Sequence, residues 1–313
     1  MEIAAYQQLH QSGELRARVE RARAILEECR LCPRACGANR LAGESGQCRI
    51  TSEVMVSSYG PHLGEEAPLV GSNGSGTIFF SYCNLHCTFC QNYTISQLGE
   101  GSPVTQETLA GMMLSLQERG CHNVNLVSPS HVVPYILEAL DIAAVKGLHL
   151  PLVYNTGGYD AMETLKLLDG IVDIYMPDMK YSDGETAERL SGIKDYPEIN
   201  RAAVREMHRQ VGDLQIDENG IARRGLLVRH MVLPDGLAGT EEVAKFLAGE
   251  VSANTYLNIM SQYRPCYRAF DIPGLDRPLK DHEFNDAIDL AHQQGLYRLD
   301  KEQFPQSLRF VLK

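Results

Sequence analysis

With 313 residues, 44% of them hydrophobic, the chain suits one large α/β domain with a small appendage, or two modest domains. A formal charge of −11 argues against a broad nucleic-acid-binding surface, and no apolar run reaches the roughly 18 residues of a membrane span. The opening stretch MEIAAYQQLHQSGELRARVE lacks the basic and apolar regions of a secretory signal, so a cytoplasmic protein is expected. Seven of the nine cysteines fall in two tight groups. Without an export signal, such groups read as metal or cluster ligands in a reducing compartment rather than as disulfides.

Along the chain, the first dozen residues read as a loose arm. Residues 14–28 form an expected helix with an apolar stripe of Val19, Ala22, Ile25 and Leu26. The first cysteine group follows, with Cys29, Cys32, Cys36 and Cys48 spaced C-x2-C-x3-C-x11-C. Pro33, Gly37, Gly43 and Gly46 make this segment loop-rich, so it needs an external staple. Four cysteines can close a structural zinc site or hold a second iron–sulfur cluster, and the spacing does not choose between them. Four unligated buried thiols are the bland alternative. The role of a metal here would be structural, electron relay or substrate docking. Residues 49–59 turn β-like, with Val54 and Val56 alternating. The glycine-rich stretch GPHLGEEAPLVGSNGSG lacks the Lys–Ser/Thr pair of a phosphate loop and reads as a flexible connector. This divides the chain into residues 1–70, an N-terminal helix with a Cys-rich metal-binding segment, and residues 71–313, the core with a C-terminal extension.

The core opens on GTIFFSYCNLHCTFCQN. A short apolar β-run, 77–80, leads into Cys83, Cys87 and Cys90, spaced C-x3-C-x2-C. Three thiolates on one tight loop can hold three irons of a cubane cluster, leaving the fourth iron open to another ligand. Backbone N–H groups of such a loop can point at the anionic cluster. Zinc with His86 as fourth ligand is the alternative; the spacing favours iron–sulfur. Helices are then expected at 105–120, 134–146, 161–168, 184–190, 198–210, 241–247 and 281–294. Strands are expected at 123–127, 152–155, 171–176, 226–233 and 256–260, with a β-excursion at 215–223 turning at Glu218-Asn219-Gly220 and a last edge strand at 307–312. Six β-runs from residue 77 onward, each followed by a helical region, imply a parallel sheet.

The C-x3-C-x2-C motif after a strand, with Phe89 before its last cysteine, resembles the radical S-adenosylmethionine (SAM) superfamily. SYCNLHCTFCQN, YNTGGYD and DIYMPDMKY further resemble uncharacterised relatives of pyruvate formate-lyase activating enzyme. The resemblance covers most of the chain. It implies an α/β fold, a partial (βα)6 TIM-like barrel with an N-terminal Cys-rich extension. It also implies a 4Fe–4S cluster whose open iron chelates SAM. Reductive cleavage of SAM would then give a 5′-deoxyadenosyl radical that abstracts hydrogen from a substrate. A low-potential donor, ferredoxin or flavodoxin, would supply the electron, and a glycyl radical enzyme is the implied kind of protein or peptide partner.

In α/β barrels the chemistry gathers at the C-terminal ends of the strands. The activating enzymes carry a Gly-Gly-Glu element on the second strand that meets the SAM amino group. Here Ser128-Pro129-Ser130 stands in that place, with no Glu, so Ser128 and Ser130 become the candidate acceptors. Asp178-Met179-Lys180 resembles their Asp-Leu-Lys element, which places Asp178 and Lys180 toward SAM or substrate. Asn155 is a candidate for the SAM ribose or carboxylate. Arg229 and His230 alternate along one strand, so only one faces inward, and Arg229 is taken as that one. Gln262 and Tyr263 sit where relatives contact the nucleoside. The competing class of function is a non-catalytic iron–sulfur or zinc protein, acting as electron carrier or scaffold.

Overall fold

The computed structural model describes residues 4–300, so the edge strand expected at 307–312 lies outside the described residues. Among the described residues there are nine strands: β1 Val54–His62, β2 Ser75–Phe80, β3 Ser102–Val104, β4 Val124–Val127, β5 Leu152–Thr156, β6 Ile174–Pro177, β7 Gln215–Ile216, β8 Ala222–Met231 and β9 Tyr256–Met260. They form one sheet in the order β3-β1-β2-β4-β5-β6-β8-β7, with β9 also paired to β8. The run β2, β4, β5, β6, β8, β9 is parallel throughout, which matches the six expected units. The antiparallel strands β1 and β3 extend it beyond β2. Among the described residues the sheet does not close on itself.

The parallel pairing follows from the sequence of the strands. VNLV, LVYNT and IYMP are almost wholly buried, as expected for strands covered on both faces. Val153, Ile174, Met176, Leu227 and Tyr256, from four neighbouring strands, meet in one cluster with Leu69. That convergence makes the sheet a partial barrel with a packed interior. A second, larger core lies between the strands and the outer helices.

Two expectations change. Residues 4–12 are not a loose arm. They form a helix, Tyr6–Gln11, and Tyr6 is fully buried with its hydroxyl donating to Leu150 O at 3.1 Å. Ala5 N–H donates to Asp173 Oδ1 at 2.8 Å, fixing the segment to the sheet. The helix Val133–Val145 explains the docking. It is apolar nearly all round, so its outer face needs a second cover, and Leu15, Ala22, Ile25 and Leu26 join the core that buries it. Nor is the glycine-rich stretch merely a connector. Ala67–Val70 is a short helix whose Pro68, Leu69 and Val70 are buried, and Leu69 plugs the barrel.

Smaller offsets have local causes. Ile171 and Val172 bond back to Leu168 O and close the preceding helix, so β6 begins later than expected. The β-excursion is a hairpin of β7 with the first residues of β8. Asp217 accepts from the N–H groups of Asn219 and Ile221 at 2.9 and 3.0 Å, and Gly220 turns the chain at φ +79°.

Helix Gly184–Ser191, which packs beside the cysteine loop, starts on Asp183, whose Oδ1 accepts from Thr186 N–H at 2.9 Å. Asp183→Ala should cost about 1 kcal/mol in chemical unfolding; an unchanged midpoint would show that the cap contributes nothing.

Candidate functional site

The loop after β2 is fixed from several sides. Tyr82 takes a left-handed φ of 66° and turns the chain out of the strand. Asn84 Nδ2 donates to Tyr159 O at 2.7 Å, Thr88 N–H to Leu190 O at 2.8 Å, and Arg268 N–H to Thr88 O at 2.8 Å. Phe89 is buried beneath, edge-on to Tyr181 and Tyr263. All three cysteines are free thiols. Polar hydrogens surround their sulfurs. Leu85 N–H lies 3.4 Å from Cys83 Sγ and the Ser191 hydroxyl donates to Cys87 Sγ at 3.1 Å. Ser96 Oγ lies 3.0 Å from Cys90 Sγ. Donors aimed at sulfur favour thiolates bound to a cluster. Burial pushes the Cys83 thiol up to about 12 and raises Cys90, so burial by itself disfavours the thiolate at both.

His86 turns instead to Gln97, with Nδ1 3.1 Å from Oε1. Among the described residues, no three His, Cys, Asp or Glu side chains converge tightly enough to hold a single ion.

Next to this loop the strand ends carry a chain of charges. Asp178, at the end of β6, accepts from Lys180 Nζ at 2.6 Å and from Arg229 Nε at 2.8 Å. Arg229 Nη2 donates to Asn155 Oδ1 at 2.7 Å. Burial alone would raise the Asp178 carboxyl, but Arg229 and then Lys180 outweigh it and hold it low. Burial disfavours the charge on Lys180; Asp178 and then Cys87 restore it, which puts the ammonium within electrostatic reach of the cysteine loop. Gly158 has to be glycine here, because a Cβ would strike Asp178 O. Asn155, Asp178, Lys180 and Arg229 are thus one group. Arg229 faces inward, whereas His230 is buried on the other side, bonded to Met179 O and Thr240 Oγ1.

Three other candidates stand apart. Ser130 is 2% exposed and its hydroxyl donates to Asp160 Oδ1 at 2.6 Å, within a cluster of Tyr154, Thr156 and Asp160. Its hydroxyl braces the turn after β5 and does not face the charged row. Ser128 sits at φ 59° with its N–H on Asn155 O at 2.8 Å, beside the row but not bonded to its side chains. Gln262 is exposed; its carbonyl accepts from Gln91 Nε2 at 2.9 Å, and Tyr263 is buried under Phe89 rather than presented to a nucleoside.

Sequence reasoning missed the floor of this site. Glu66 is 5% exposed; its Oε1 accepts from Asn258 Nδ2 at 3.0 Å and lies 3.8 Å from Arg229 Nη1. Its Oε2 receives no N–H, but the neighbouring Glu65 carboxyl hydrogen-bonds to Glu66; Oδ1 of the buried Asn125 has no partner. Burial, and then the charge of Glu66, push the neighbouring Glu65 up to about 8, so it keeps a proton at neutral pH. The available signal was two adjacent acids directly before APLV, a run too apolar for a solvated connector.

The first cysteine group lies against the outside of the same loop. Cys29 and Cys48 are buried, Cys32 is half-buried and Cys36 is exposed. All four line one cavity with Arg34 and Arg40.

The radical SAM superfamily model matches residues 77–217. An uncharacterized protein of Methanocaldococcus jannaschii is 33% identical over 287 residues, covering 89% of this chain and 78% of that protein. A radical SAM methyltransferase from Sphaerobacter thermophilus is similar in structure at 17% identity and a TM-score of 0.49, covering 71% of this chain and 64% of that one. Streptococcus suis SuiB bound to precursor peptide SuiA is similar at 12% identity and a TM-score of 0.46, covering 68% and 44%. The chain spans less than two thirds of either solved protein.

Proposed function

The chain belongs to the radical SAM superfamily, and we propose that Cys83, Cys87 and Cys90 are the ligands of its 4Fe–4S cluster. The observation that carries this reading is one loop with three thiols, at the end of the first parallel strand, beside a charged row on the neighbouring strand ends. When bound, the cluster and SAM supply a 5′-deoxyadenosyl radical by one-electron cleavage of SAM, and the radical takes a hydrogen atom from the substrate.

The chain's own residues bind and orient. Asn155, Asp178, Lys180 and Arg229 hold the polar part of SAM or of the substrate against the loop. Ser128 contributes its carbonyl or hydroxyl from beside that row. Asn125 Oδ1 offers a buried acceptor to N–H groups entering the barrel, beside the hydrogen-bonded Glu65–Glu66 pair. The apolar interior below them, from Leu69 to Tyr256, excludes water from the reactive end. The substrate we favour is a protein or peptide, such as a glycyl radical enzyme whose Gly Cα–H is removed, with ferredoxin or flavodoxin as donor. The four N-terminal cysteines hold a metal, either zinc or a second iron–sulfur cluster. Nine free thiols, two groups of them ligands, suit a reducing cytoplasm.

The test is anaerobic reconstitution, reduction with dithionite and incubation with SAM. 5′-Deoxyadenosine should form well above a Cys83→Ala control. No product above that control with any of several reductants would leave an electron carrier or scaffold as the better account. Deuterium transfer into deoxyadenosine from labelled candidate peptides identifies the hydrogen source.

A further inference from the structure

Asn125 stands on β4 between Val124 and Leu126, which both join the core under the outer helices. Strand alternation therefore turns its side chain into the barrel. Its amide is oriented by a chain of bonds that starts at a backbone carbonyl. Leu69 O can only accept, and it takes Asn123 Nδ2–H at 3.0 Å. Asn123 Oδ1 then takes the Ser75 hydroxyl at 2.7 Å, and the Ser75 oxygen takes Asn125 Nδ2–H at 3.2 Å. Asn125 Oδ1 is thereby the end left over. The residue is 0% exposed, and this oxygen has no hydrogen-bond partner. A buried acceptor without a donor is costly, and a donor that arrives with a ligand removes the cost.

Two carboxyls stand beside it. The Asn125 amide and the Glu66 carboxyl both hydrogen-bond Glu65. Glu66 is held on its other edge, where Oε1 accepts from Asn258 Nδ2 at 3.0 Å and lies 3.8 Å from Arg229 Nη1. Its Oε2 receives no N–H. Two carboxyls sharing a buried place do not both ionise readily, so the pair keeps one proton near neutrality. With that proton, Lys180 and Arg229 balance Asp178 and Glu66. Without it, the layer carries one negative charge in excess. Arg229 does not absorb that charge, because its Nε and Nη2 are committed to Asp178 and Asn155. The layer is within reach of solvent. Glu65 is half-exposed, and the side chains of Asp178, Lys180 and Arg229 keep 13%, 15% and 18% of their surface.

We propose that Glu65, Glu66 and Asn125 bind a protonated primary amine of the substrate, such as a lysine side chain or the N-terminus of a peptide. The two carboxyls and Asn125 Oδ1 present oxygens to the three hydrogens of one ammonium group. On binding, the pair gives up its proton to solvent and the ammonium supplies the missing positive charge; no other bond forms or breaks. The charges facing Glu65 are those of Glu66 on its own loop and Arg229 on β8. Burial and Glu66 put the Glu65 proton at about 8, so below that pH the ammonium has to displace a proton and above it does not. The assignment of this amine to the substrate rests on the radical SAM reading, whereas its binding needs neither SAM nor a reductant.

Isothermal titration of the reconstituted full chain with n-butylammonium is the test, with n-butanol as the uncharged probe of the same shape. Binding should release about one proton at about pH 7, read from the difference in heat between phosphate and Tris buffers, and should tighten about tenfold between about pH 7 and 9. Glu65→Gln still bonds to Glu66 but cannot ionise. It should weaken binding at least tenfold at about pH 9 and flatten the pH dependence. n-Butanol should not bind. No binding of butylammonium, binding no tighter than that of butanol, or an affinity independent of pH in the wild type overturns the proposal, whether or not the chain cleaves SAM. The proton count and the pH dependence are read on the wild type, so they decide even where Glu65→Gln does not fold. Displacement of bound butylammonium by SAM would give the site to the amino group of SAM and overturn its assignment to the substrate.

Discussion

Asp178→Ala should destabilise the protein by roughly 3–5 kcal/mol, because it strands two largely buried cations at once. Lys180 Nζ and Arg229 Nε both rest on this carboxylate, at 2.6 and 2.8 Å, and their side chains are only 15% and 18% exposed. Arg229 would keep Asn155 Oδ1 and the distant edge of Glu66, whereas Lys180 has no other bonded acceptor among the described residues. Asp178→Asn should cost less, since the amide oxygen still accepts one bond. In a double-mutant cycle, Lys180→Met combined with Asp178→Ala should recover part of the loss, because the second change removes the stranded charge. Denaturant unfolding of the four proteins gives the answer. An Asp178→Ala variant within about 1 kcal/mol of wild type would mean that the row is solvated and not a buried network.

That row shows how far the sequence could be read. Asp178-Met179-Lys180 stood out because polar residues at the end of an apolar run are where α/β chemistry collects, and period-two alternation separated Arg229 from His230. The C-x3-C-x2-C spacing and the β-runs were legible for the same reason: both are local, set by loop reach and strand period. What the row leans on was not legible. Glu66 comes from a loop between β1 and β2, and only the closing of the barrel carries it to Arg229 and Asn258. Leu69 is the same kind of case, a plug whose partners lie on strands 84 or more residues away. Tyr6 looked like part of a free arm because its anchor, Leu150 O, is 144 residues off and has no sequence signature. Ser130 failed in the opposite way. Its place at a strand end was right, but a hydroxyl pivots toward the nearest strong acceptor, and here that is the buried Asp160. Direction of a side chain at a strand end is decided by tertiary neighbours, so a list of strand-end polar residues overstates the site.

The buried His230 leads to a pH prediction of comparable size. Burial lowers its pKa from 6.5 to about 4, although the Met179 carbonyl and Asp178 pull the other way. Nδ1–H donates to Met179 O at 2.7 Å, so Nε2 is free to accept from the Thr240 hydroxyl at 2.9 Å, and the ring is well satisfied while neutral. A base with a depressed folded pKa is protonated first in the unfolded chain. Its contribution is therefore intact above about pH 6.5 and is lost as pH falls toward 4, a change of about 3 kcal/mol. Two other groups act in the same interval. His131, also lowered to about 4 by burial, has the same sign. Glu65, raised to about 8, has the opposite one: its protonated form stabilises at low pH, and that contribution is lost as pH rises through 8. Comparing wild type with His230→Gln cancels both. The stability difference between the two proteins should shrink by about 3 kcal/mol between pH 7.5 and 4, since only the wild type must keep an imidazole neutral there. A difference that stays flat across that interval would mean that the folded protein lets the ring take up a proton as readily as the unfolded chain does.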